Sequence, residues 1–401
     1  MSDDPKDWEV PTRLVRGGSM RSAYGETAEA LYLTQSFVYD SPEAADARFA
    51  GTDPGYIYSR YGNPTTAMFE QRLALLEGAE GARATASGMA AVHLSITGLV
   101  KAGDHIVAGK ALFGSCRWIL NNWGPRFGVE TTFVDAPDTA AWRAAVRPNT
   151  KLFFLESPAN PLLEITDIAA VAAIAREAGA KVVVDNVFAT PIFQKPLPMG
   201  ADIVVYSATK HIDGQGRVLG GAVLGANALL DEAYRDIIRH TGPALSPFNA
   251  WVLLNGLTTL DLRVRAQSAT AASLADRIAA HAKVRAIRYP GRTDHPQHEI
   301  AKRQFTGGGN QMIGGGNLVA FDLGTREAAF NFLNALQLVN ISNNLGDARS
   351  MATHPTTTTH RSMTEEQRLE IGLTPGWVRL SVGLEGAGDL ARDVERALDA
   401  A

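Results

Sequence analysis

The sequence lacks the residues and segments that mark disulfide-linked, zinc-binding and membrane-spanning proteins. Cys116 is the only cysteine among 401 residues, so an internal disulfide is impossible, and no Cys/His cluster has the spacing of a structural zinc site. No apolar run reaches the roughly 20 residues of a membrane helix, and the acidic first ten residues do not resemble a secretory signal. These absences favour a cytoplasmic protein without a metal site.

A strong excess of charge of either sign is also lacking. The formal net charge is −4, and no basic run is present, so neither nucleic acid nor an anionic membrane is expected as a partner. Hydrophobic residues make up 45% of the chain. A chain of this length and composition has enough apolar material for a large core divided between two or three domains.

Apolar runs of strand length alternate with helical patterns from about residue 65 onward. The runs are HIVAG, VETTFVD, KLFFLES, KVVVDN and DIVVYS, and a helical stretch such as DIAAVAAIAREAG lies between them. This alternation predicts an α/β fold with a mainly parallel sheet. In such folds ligands bind at the carboxyl ends of the strands, so the chemistry should lie there.

The chain divides into three predicted regions. Residues 1–65 have little periodicity but many aromatics, so we predict an N-terminal arm that packs on a neighbouring subunit and contributes to its site. Residues 66–260 form the predicted large domain, and residues 261–401 a smaller α+β domain. Within the latter, the repeated GGGN at 307–310 and 314–317 lacks nucleotide-loop spacing and is interpreted as a flexible surface loop.

Lys210 is the first candidate for a reactive side chain. It follows an apolar strand and precedes a Gly-rich turn, with Ser207 and Thr209 beside it. Partial burial would lower the pKa of the amine and free it to attack a carbonyl carbon, and the two hydroxyls are suited to a phosphate. Taken alone, a solvated surface lysine is the simpler interpretation.

Another strand end and the start of one helix offer further groups that could bind a ligand held at Lys210. Asp185 ends the strand VVVD, where an acid can pair with a protonated ring nitrogen, although capping of the next turn explains it equally. Ser87, Gly88 and Met89 open an Ala-rich helix whose first N–H groups attract an anion. Ordinary N-capping by Ser87 is the alternative.

Two arginines are candidates for binding an anion. Tyr58 and Arg60 in YIYSRYGNPT point the same way in an extended segment and suit a phosphate, the alternative being a solvated arginine beside core tyrosines. Arg379 lies inside the apolar strand WVRLSVGLE, where an unpaired guanidinium is costly, so it requires a substrate carboxylate or an internal acid. Glu156 and Asn160 in ESPANP are expected to face one cleft.

Taken together, SATKH, DN at a strand end, SGMAA, YSRYGNPT, ESPANP and RLSVGLE resemble the Cys/Met-metabolism family of pyridoxal-phosphate enzymes. The resemblance runs in chain order from about residue 12 to 400. It implies the fold-type I, aminotransferase-like architecture, with a seven-stranded sheet in the large domain. It also implies pyridoxal 5'-phosphate as cofactor and a homo-oligomer, expected to be a tetramer built from dimers with shared active sites.

The resemblance implies a role for each matched residue. Lys210 is the catalytic residue that carries the cofactor, and Asp185 holds the ring nitrogen. Tyr58 and Arg60 reach in from a neighbouring subunit. The full cofactor-binding set is Tyr58, Arg60, Ser87, Gly88, Met89, Phe113, Asp185, Ser207, Thr209 and Lys210. The substrate-binding set is Asn160, Asn344 and Arg379.

Two residues depart from the common pattern of the family. Most members stack a tyrosine on the cofactor ring, whereas this chain has Phe113, which keeps the stacking and loses the phenol. Val187 stands where many members have threonine, which removes a polar contact near the ring. We therefore expect Lys210 to carry most of the proton transfer.

Within the family, Phe113, KHIDGQGRVLGG, SNNLGDARSM and THPTTTTH most resemble the sulfhydrylase branch that acts on O-succinylhomoserine. That resemblance implies a γ-replacement in which sulfide displaces succinate to give homocysteine, a step of methionine biosynthesis. A cystathionine γ-synthase, which uses cysteine, and a methionine γ-lyase, which uses no added nucleophile, are the alternatives. A non-catalytic binding protein of the same fold is the remaining one.

Overall fold

The computed structural model describes residues 4–401. In this part of the chain the α-helices are α1 Val10–Arg16, α2 Pro42–Phe49, α3 Pro64–Glu77, α4 Gly88–Thr97, α5 Gly114–Trp118, α6 Gly124–Arg126, α7 Thr139–Ala144, α8 Ile168–Glu177, α9 Thr190–Phe193, α10 Asn227–Thr241, α11 Pro247–Leu257, α12 Leu260–Ala280, α13 His298–Gln304, α14 Arg326–Ala335, α15 Glu365–Glu370 and α16 Ala387–Ala400. The strands are β1 Gly81–Thr85, β2 His105–Gly109, β3 Glu130–Val134, β4 Thr150–Glu156, β5 Lys181–Asp185, β6 Ile203–Tyr206, β7 Gly221–Gly225, β8 Ala286–Arg288, β9 Leu318–Asp322, β10 Asn340–Ile341, β11 Met351–Thr353 and β12 Trp377–Ser381.

Seven strands form the larger sheet, in the order β1-β7-β6-β5-β4-β2-β3. The pairs from β3 through β6 are parallel, and β7 runs antiparallel to both β6 and β1. The predicted mainly parallel seven-stranded sheet is therefore confirmed. The central strands are buried on both faces, as their continuous Val, Ile and Phe runs require.

Strand β1 was not predicted from the sequence. Its residues, GARAT, are small or charged and carry no apolar run. The strand forms because it pairs in register with β7, from Gly81 opposite Gly225 to Thr85 opposite Gly221. Tertiary pairing here overrides a weak local preference.

The smaller sheet has the order β10-β11-β12-β9-β8. Helices α12 and α14 pack on it and α16 packs on these two helices, around a hydrophobic cluster that includes Phe321, Phe332 and Val378. The two sheets occupy separate parts of the sequence, but the boundaries at residues 65 and 260 stay a prediction. No helix within residues 4–401 combines the length and hydropathy needed to cross a membrane.

The interpretation of both GGGN repeats as a flexible surface loop is wrong for the second one. Residues 307–310 are largely exposed, whereas Gly315, Gly316 and Asn317 are buried. The Asn317 amide donates to Val382 O at 2.9 Å and bonds His211 Nε2 through its oxygen at 2.8 Å. Both ends of that amide are therefore used inside the protein.

Candidate functional site

A cavity of about 240 Å³ opens at the carboxyl ends of the parallel strands. Strands β4, β5 and β6 end at Glu156, Asp185 and Tyr206, and the residues at or just beyond these ends line it. Ten of the predicted site residues share this cavity: Ser87, Gly88, Met89, Phe113, Asn160, Asp185, Ser207, Thr209, Lys210 and Arg379. The cavity therefore lies at the strand ends, where the sequence predicts the chemistry, and the roles of these residues stay a prediction.

Lys210 is a cavity residue and not a solvated surface lysine. Its Nζ atom donates a hydrogen bond to Asn344 Oδ1 at 2.6 Å. Burial, and then the positive charge of Arg379, lower the pKa of the amine to about 8 because both disfavour the ammonium form. Near neutral pH a usable fraction of the amine is therefore unprotonated and nucleophilic.

Asp185 lies one strand away from the strand that leads to Lys210. Its Oδ1 accepts the backbone N–H of Val187 at 3.1 Å, so Asp185 does cap the next turn, and its role toward a ring nitrogen stays a prediction. The side chain is only 8% exposed, and burial raises the pKa of its carboxyl. A cation placed against this carboxyl would favour its ionised form again.

The start of helix α4 and the turn after β6 approach closely beside these two side chains. Ser87 Oγ accepts the N–H of Ala90 at 3.1 Å, so Ser87 does cap the helix. A Cβ atom on Gly88 would lie 2.4 Å from Ser207 Cβ. Only a residue without a side chain permits this approach, which places the free helix N–H groups beside the Ser207 hydroxyl.

Thr209 closes the same end of the cavity through the Gly-rich turn. Its hydroxyl donates to Gly220 O at 3.2 Å and accepts the N–H of Gly220 at 3.1 Å. These bonds fix the turn between β6 and β7. Because Lys210 lies in this turn, the same bonds fix its position.

Arg379 on β12 supplies a positive charge to the cavity wall. The side chain is 2% exposed, donates from Nη1 to Asn160 Oδ1 at 2.8 Å and from Nη2 to Asn343 O at 2.9 Å, and leaves Nε without a partner. Burial lowers its pKa to about 10. The Glu156 carboxyl is near enough to oppose this fall in pKa, but within residues 4–401 it forms no ion pair with Arg379, and the free Nε remains available for a ligand.

Tyr58 and Arg60 are not brought to Lys210 within this chain. Arg60 lines a separate cavity of about 300 Å³, where its guanidinium lies 5.4 Å from the ring centre of Tyr58 and 5.0 Å from that of Tyr61. Tyr58 is 38% exposed. That these two residues enter a neighbouring subunit's site stays a prediction.

Sequence reasoning missed several residues that line the cavity. Asn343 and Thr359 come from loops, where no periodicity marks an inward-facing side chain, and Phe188, Val92 and Leu345 are apolar residues without a chemical signature. Asn344 was anticipated, but its bond to Lys210 was not. The polar runs SNN and TTTT were the only sequence signals for these loops.

The cavity residues fit pyridoxal phosphate. The close approach at Gly88 offers helix N–H groups and the Ser207 hydroxyl to a phosphate. Lys210 offers a reactive amine, and Asp185 offers a buried carboxyl that can pair with a protonated ring nitrogen. The unpartnered Nε of Arg379 remains for a carboxylate. The phosphate, aldehyde and ring nitrogen of the cofactor, and the carboxylate of an amino-acid substrate, thus each have a suitable side chain or backbone group in the cavity.

Comparisons with known proteins agree with this fit. The model of the family described as Cys/Met metabolism PLP-dependent enzyme matches residues 11–399. The O-succinylhomoserine sulfhydrylase of Mycobacterium tuberculosis (strain ATCC 25618 / H37Rv) is 53% identical over 389 residues, which cover 96% of this chain and 94% of that protein. The L-methionine gamma-lyase of Treponema denticola is 41% identical over 392 residues, covering 97% and 96%.

A solved structure shares the whole fold. It comes from Campylobacter jejuni, is assigned as an O-acetylhomoserine (thiol)-lyase, and contains N'-pyridoxyl-lysine-5'-monophosphate. The TM-score is 0.93 at 29% identity, with 98% of this chain and 100% of that chain covered. The architecture described above is therefore that of a protein in which a lysine carries this cofactor.

Proposed function

The chain belongs to the Cys/Met metabolism family of PLP-dependent enzymes, and on this premise we propose that it converts O-succinylhomoserine and sulfide into homocysteine and succinate. The observation that carries the chemistry is the single cavity that contains the Lys210 amine, the Asp185 carboxyl and the unpaired Arg379. The substrate choice is supported by the higher identity to a sulfhydrylase, 53%, than to a methionine γ-lyase, 41%.

When bound, pyridoxal phosphate supplies an electron sink that makes the protons on Cα and Cβ of an amino acid acidic. In the proposed reaction Lys210 removes the Cα proton, since its lowered pKa leaves part of the amine unprotonated. A second proton is lost from Cβ, the γ-succinyloxy group leaves as succinate, and sulfide forms the new C–S bond at Cγ. The two removed protons return to Cα and Cβ, so homocysteine and succinate balance the substrates.

The other polar residues would hold and orient the cofactor and the substrate. Asp185 would hold the ring nitrogen in its protonated form, and Arg379 would bind the α-carboxylate together with the amide of Asn160, to which it is already bonded. Gly88, Met89, Ser207 and Thr209 would hold the phosphate, with Tyr58 and Arg60 from a neighbouring subunit. These assignments are supported by the shared cavity and its charges.

Apolar side chains keep water from the reacting carbons. Phe113, Val92, Val187 and Phe188 line the cavity. Phe113 has no proton to give or take, so it serves to cover the cofactor ring. This leaves Lys210 as the base nearest to Cα in the proposed mechanism.

We also propose a homotetramer built from dimers with shared sites, in the cytoplasm. The N-terminal arm exposes apolar side chains, including Tyr24 and Val38 at 95% and Leu33 at 70%. Exposed apolar surface of this kind favours burial against a second copy. Such burial would bring Arg60 near another subunit's cavity.

The proposed function is tested by a panel of assays on the purified holoenzyme. O-succinylhomoserine and O-acetylhomoserine are each supplied with sulfide, with cysteine, or without a nucleophile, and the products are identified. Homocysteine from the succinyl ester with sulfide as the fastest reaction supports the proposal. Cystathionine as the main product would assign a cystathionine γ-synthase. Fast release of an α-keto acid without a nucleophile would assign a lyase.

A further inference from the structure

The side chain of Glu156 joins two loops at the edge of the cavity. Glu156 ends strand β4 and is 5% exposed. Its Oε2 atom accepts the backbone N–H of Phe113 at 2.8 Å, and its Oε1 atom accepts the backbone N–H of Asn160 at 2.9 Å. One carboxyl group therefore binds the loop that follows β2 and the loop that follows β4.

The two donors serve different halves of the site. Phe113 places its ring in the cavity wall, on the side proposed for the cofactor. Asn160 uses its side-chain oxygen to accept from Arg379 Nη1 at 2.8 Å, on the side proposed for the substrate carboxylate. The bonds run continuously from Phe113 through Glu156 and Asn160 to Arg379.

We propose that Glu156 is a positioning residue that fixes the ring of Phe113 and the guanidinium of Arg379 relative to each other. This inference rests on the proposed function, because that function assigns the cofactor to the Phe113 side of the cavity and the substrate carboxylate to the Arg379 side. The hydrogen-bonded clamp itself depends only on the geometry of the chain.

The position of Glu156 argues against a space-filling role. Glu156 lies opposite Asp185 in the register of β4 and β5. Burial, followed by that neighbouring carboxyl, raises the pKa of Glu156, and the N–H donors of Phe113 and Asn160 and the charge of Arg379 only partly oppose the rise. A second buried acid beside Asp185 is costly, whereas glutamine has nearly the same volume and no charge. What glutamine lacks is a second acceptor oxygen, and both Glu156 oxygens accept here.

The test compares Glu156→Gln with Glu164→Gln. Glu164 is another mostly buried carboxyl, whose pKa is raised to about 7 by burial, and it is not among the residues that line the cavity. Backbone hydrogen–deuterium exchange at Phe113 and Asn160 is measured in the cofactor-free protein. We expect Glu156→Gln to speed exchange at one of these N–H groups by about tenfold, the equivalent of one lost hydrogen bond, and Glu164→Gln to leave both unchanged.

A second readout uses the holoenzyme. We expect Glu156→Gln to raise the KM for O-succinylhomoserine by about tenfold, because Arg379 loses its fixed support, and to change the circular dichroism of the bound cofactor under Phe113. Unchanged exchange at both N–H groups would overturn the clamp. Changed exchange with an unaltered KM and dichroism would overturn its positioning role.

A variant that does not fold is replaced by a measurement on the wild-type holoenzyme. L-norleucine, an amino acid without a γ-leaving group, is added at saturation. Joint slowing of exchange at Phe113 and Asn160 supports the clamp, and slowing at one without the other contradicts it. Because the exchange in the cofactor-free protein involves no reaction, an assay panel that rejects the proposed function leaves that result unaffected.

Discussion

Lys210 Nζ donates to Asn344 Oδ1 at 2.6 Å, so an amide oxygen stabilises the ammonium form of an amine whose burial favours the neutral form. The two effects oppose each other, and burial together with the positive charge of Arg379 outweighs the hydrogen bond, since the pKa still falls to about 8. The loop that carries Asn344 thus tunes the base without contributing a charge.

Asn344→Ala should lower the pKa of Lys210 further, by about one unit, because a hydrogen bond to a charged group is lost. A lower pKa means that the free amine persists to lower pH. In the cofactor-free protein, the pH profile for modification of Lys210 by an amine-reactive reagent should therefore move to lower pH. Asn343→Ala is the control, since its side chain is not hydrogen-bonded to Lys210. An unmoved or raised profile for Asn344→Ala contradicts this.

Phe113→Tyr restores the phenol found in most of the family. If Lys210 carries the proton transfers, the added hydroxyl should change kcat by less than about fivefold, whereas a general acid–base group contributes about 100-fold or more. Steady-state kinetics with O-succinylhomoserine and sulfide measure this. A rise of kcat approaching 100-fold would show that the wild-type chain lacks a needed proton donor.

Gly88→Ala should separate helix α4 from the turn that carries Ser207. The new Cβ would lie 2.4 Å from Ser207 Cβ and 2.8 Å from Ser207 Cα, so the backbone must shift. We expect the free energy of unfolding to fall by about 1–3 kcal/mol, and the dissociation constant of the cofactor to rise at least about tenfold. Equilibrium unfolding and cofactor titration measure the two effects.

Gly388→Ala in helix α16 is the matched control. The nearest atom to its Cβ would be Arg392 Nη1 at 3.6 Å, an ordinary contact on an exposed surface, and alanine favours a helix. This variant should keep wild-type cofactor affinity. If Gly88→Ala also binds the cofactor as tightly as wild type, the close approach at Ser207 does not form the phosphate site.

Shared sites predict complementation between two inactive variants. Lys210→Ala removes the reactive amine from a subunit's own site, and Arg60→Ala removes the arginine that the subunit is proposed to supply to its neighbour's site. Random pairing gives mixed dimers in half of the cases, each with one intact site, so co-expression should restore about a quarter of wild-type activity. Each variant expressed alone is the control. Activity no higher than that of the controls would contradict the shared site.

The sequence predicted the elements whose signal is local. The Val- and Phe-rich runs predicted β2 to β6, and the polar residues after those strands led to Asp185, Ser207 and Lys210. Strand β1 was missed because pairing with β7, and not its own residues, makes it a strand. The burial of Asn317 was missed because its hydrogen-bond partners, Val382 and His211, are distant in the chain.

The geometry of the site depended on such distant contacts as well. Lys210 is 134 residues from Asn344, and Asn160 is 219 residues from Arg379. Sequence alone gave each of these residues a role but not its partner. Glu156 shows the same limit, since its two bonds link separate loops.

The placement of the cofactor on Lys210 is the central claim, and one measurement tests it directly. The holoenzyme is reduced with borohydride, which fixes an imine as a stable amine, and the digested protein is mapped by mass spectrometry. The account predicts a pyridoxyl phosphate group on the peptide that contains Lys210, and none on that peptide in Lys210→Ala. A pyridoxyl group on another lysine, or on none, would contradict it.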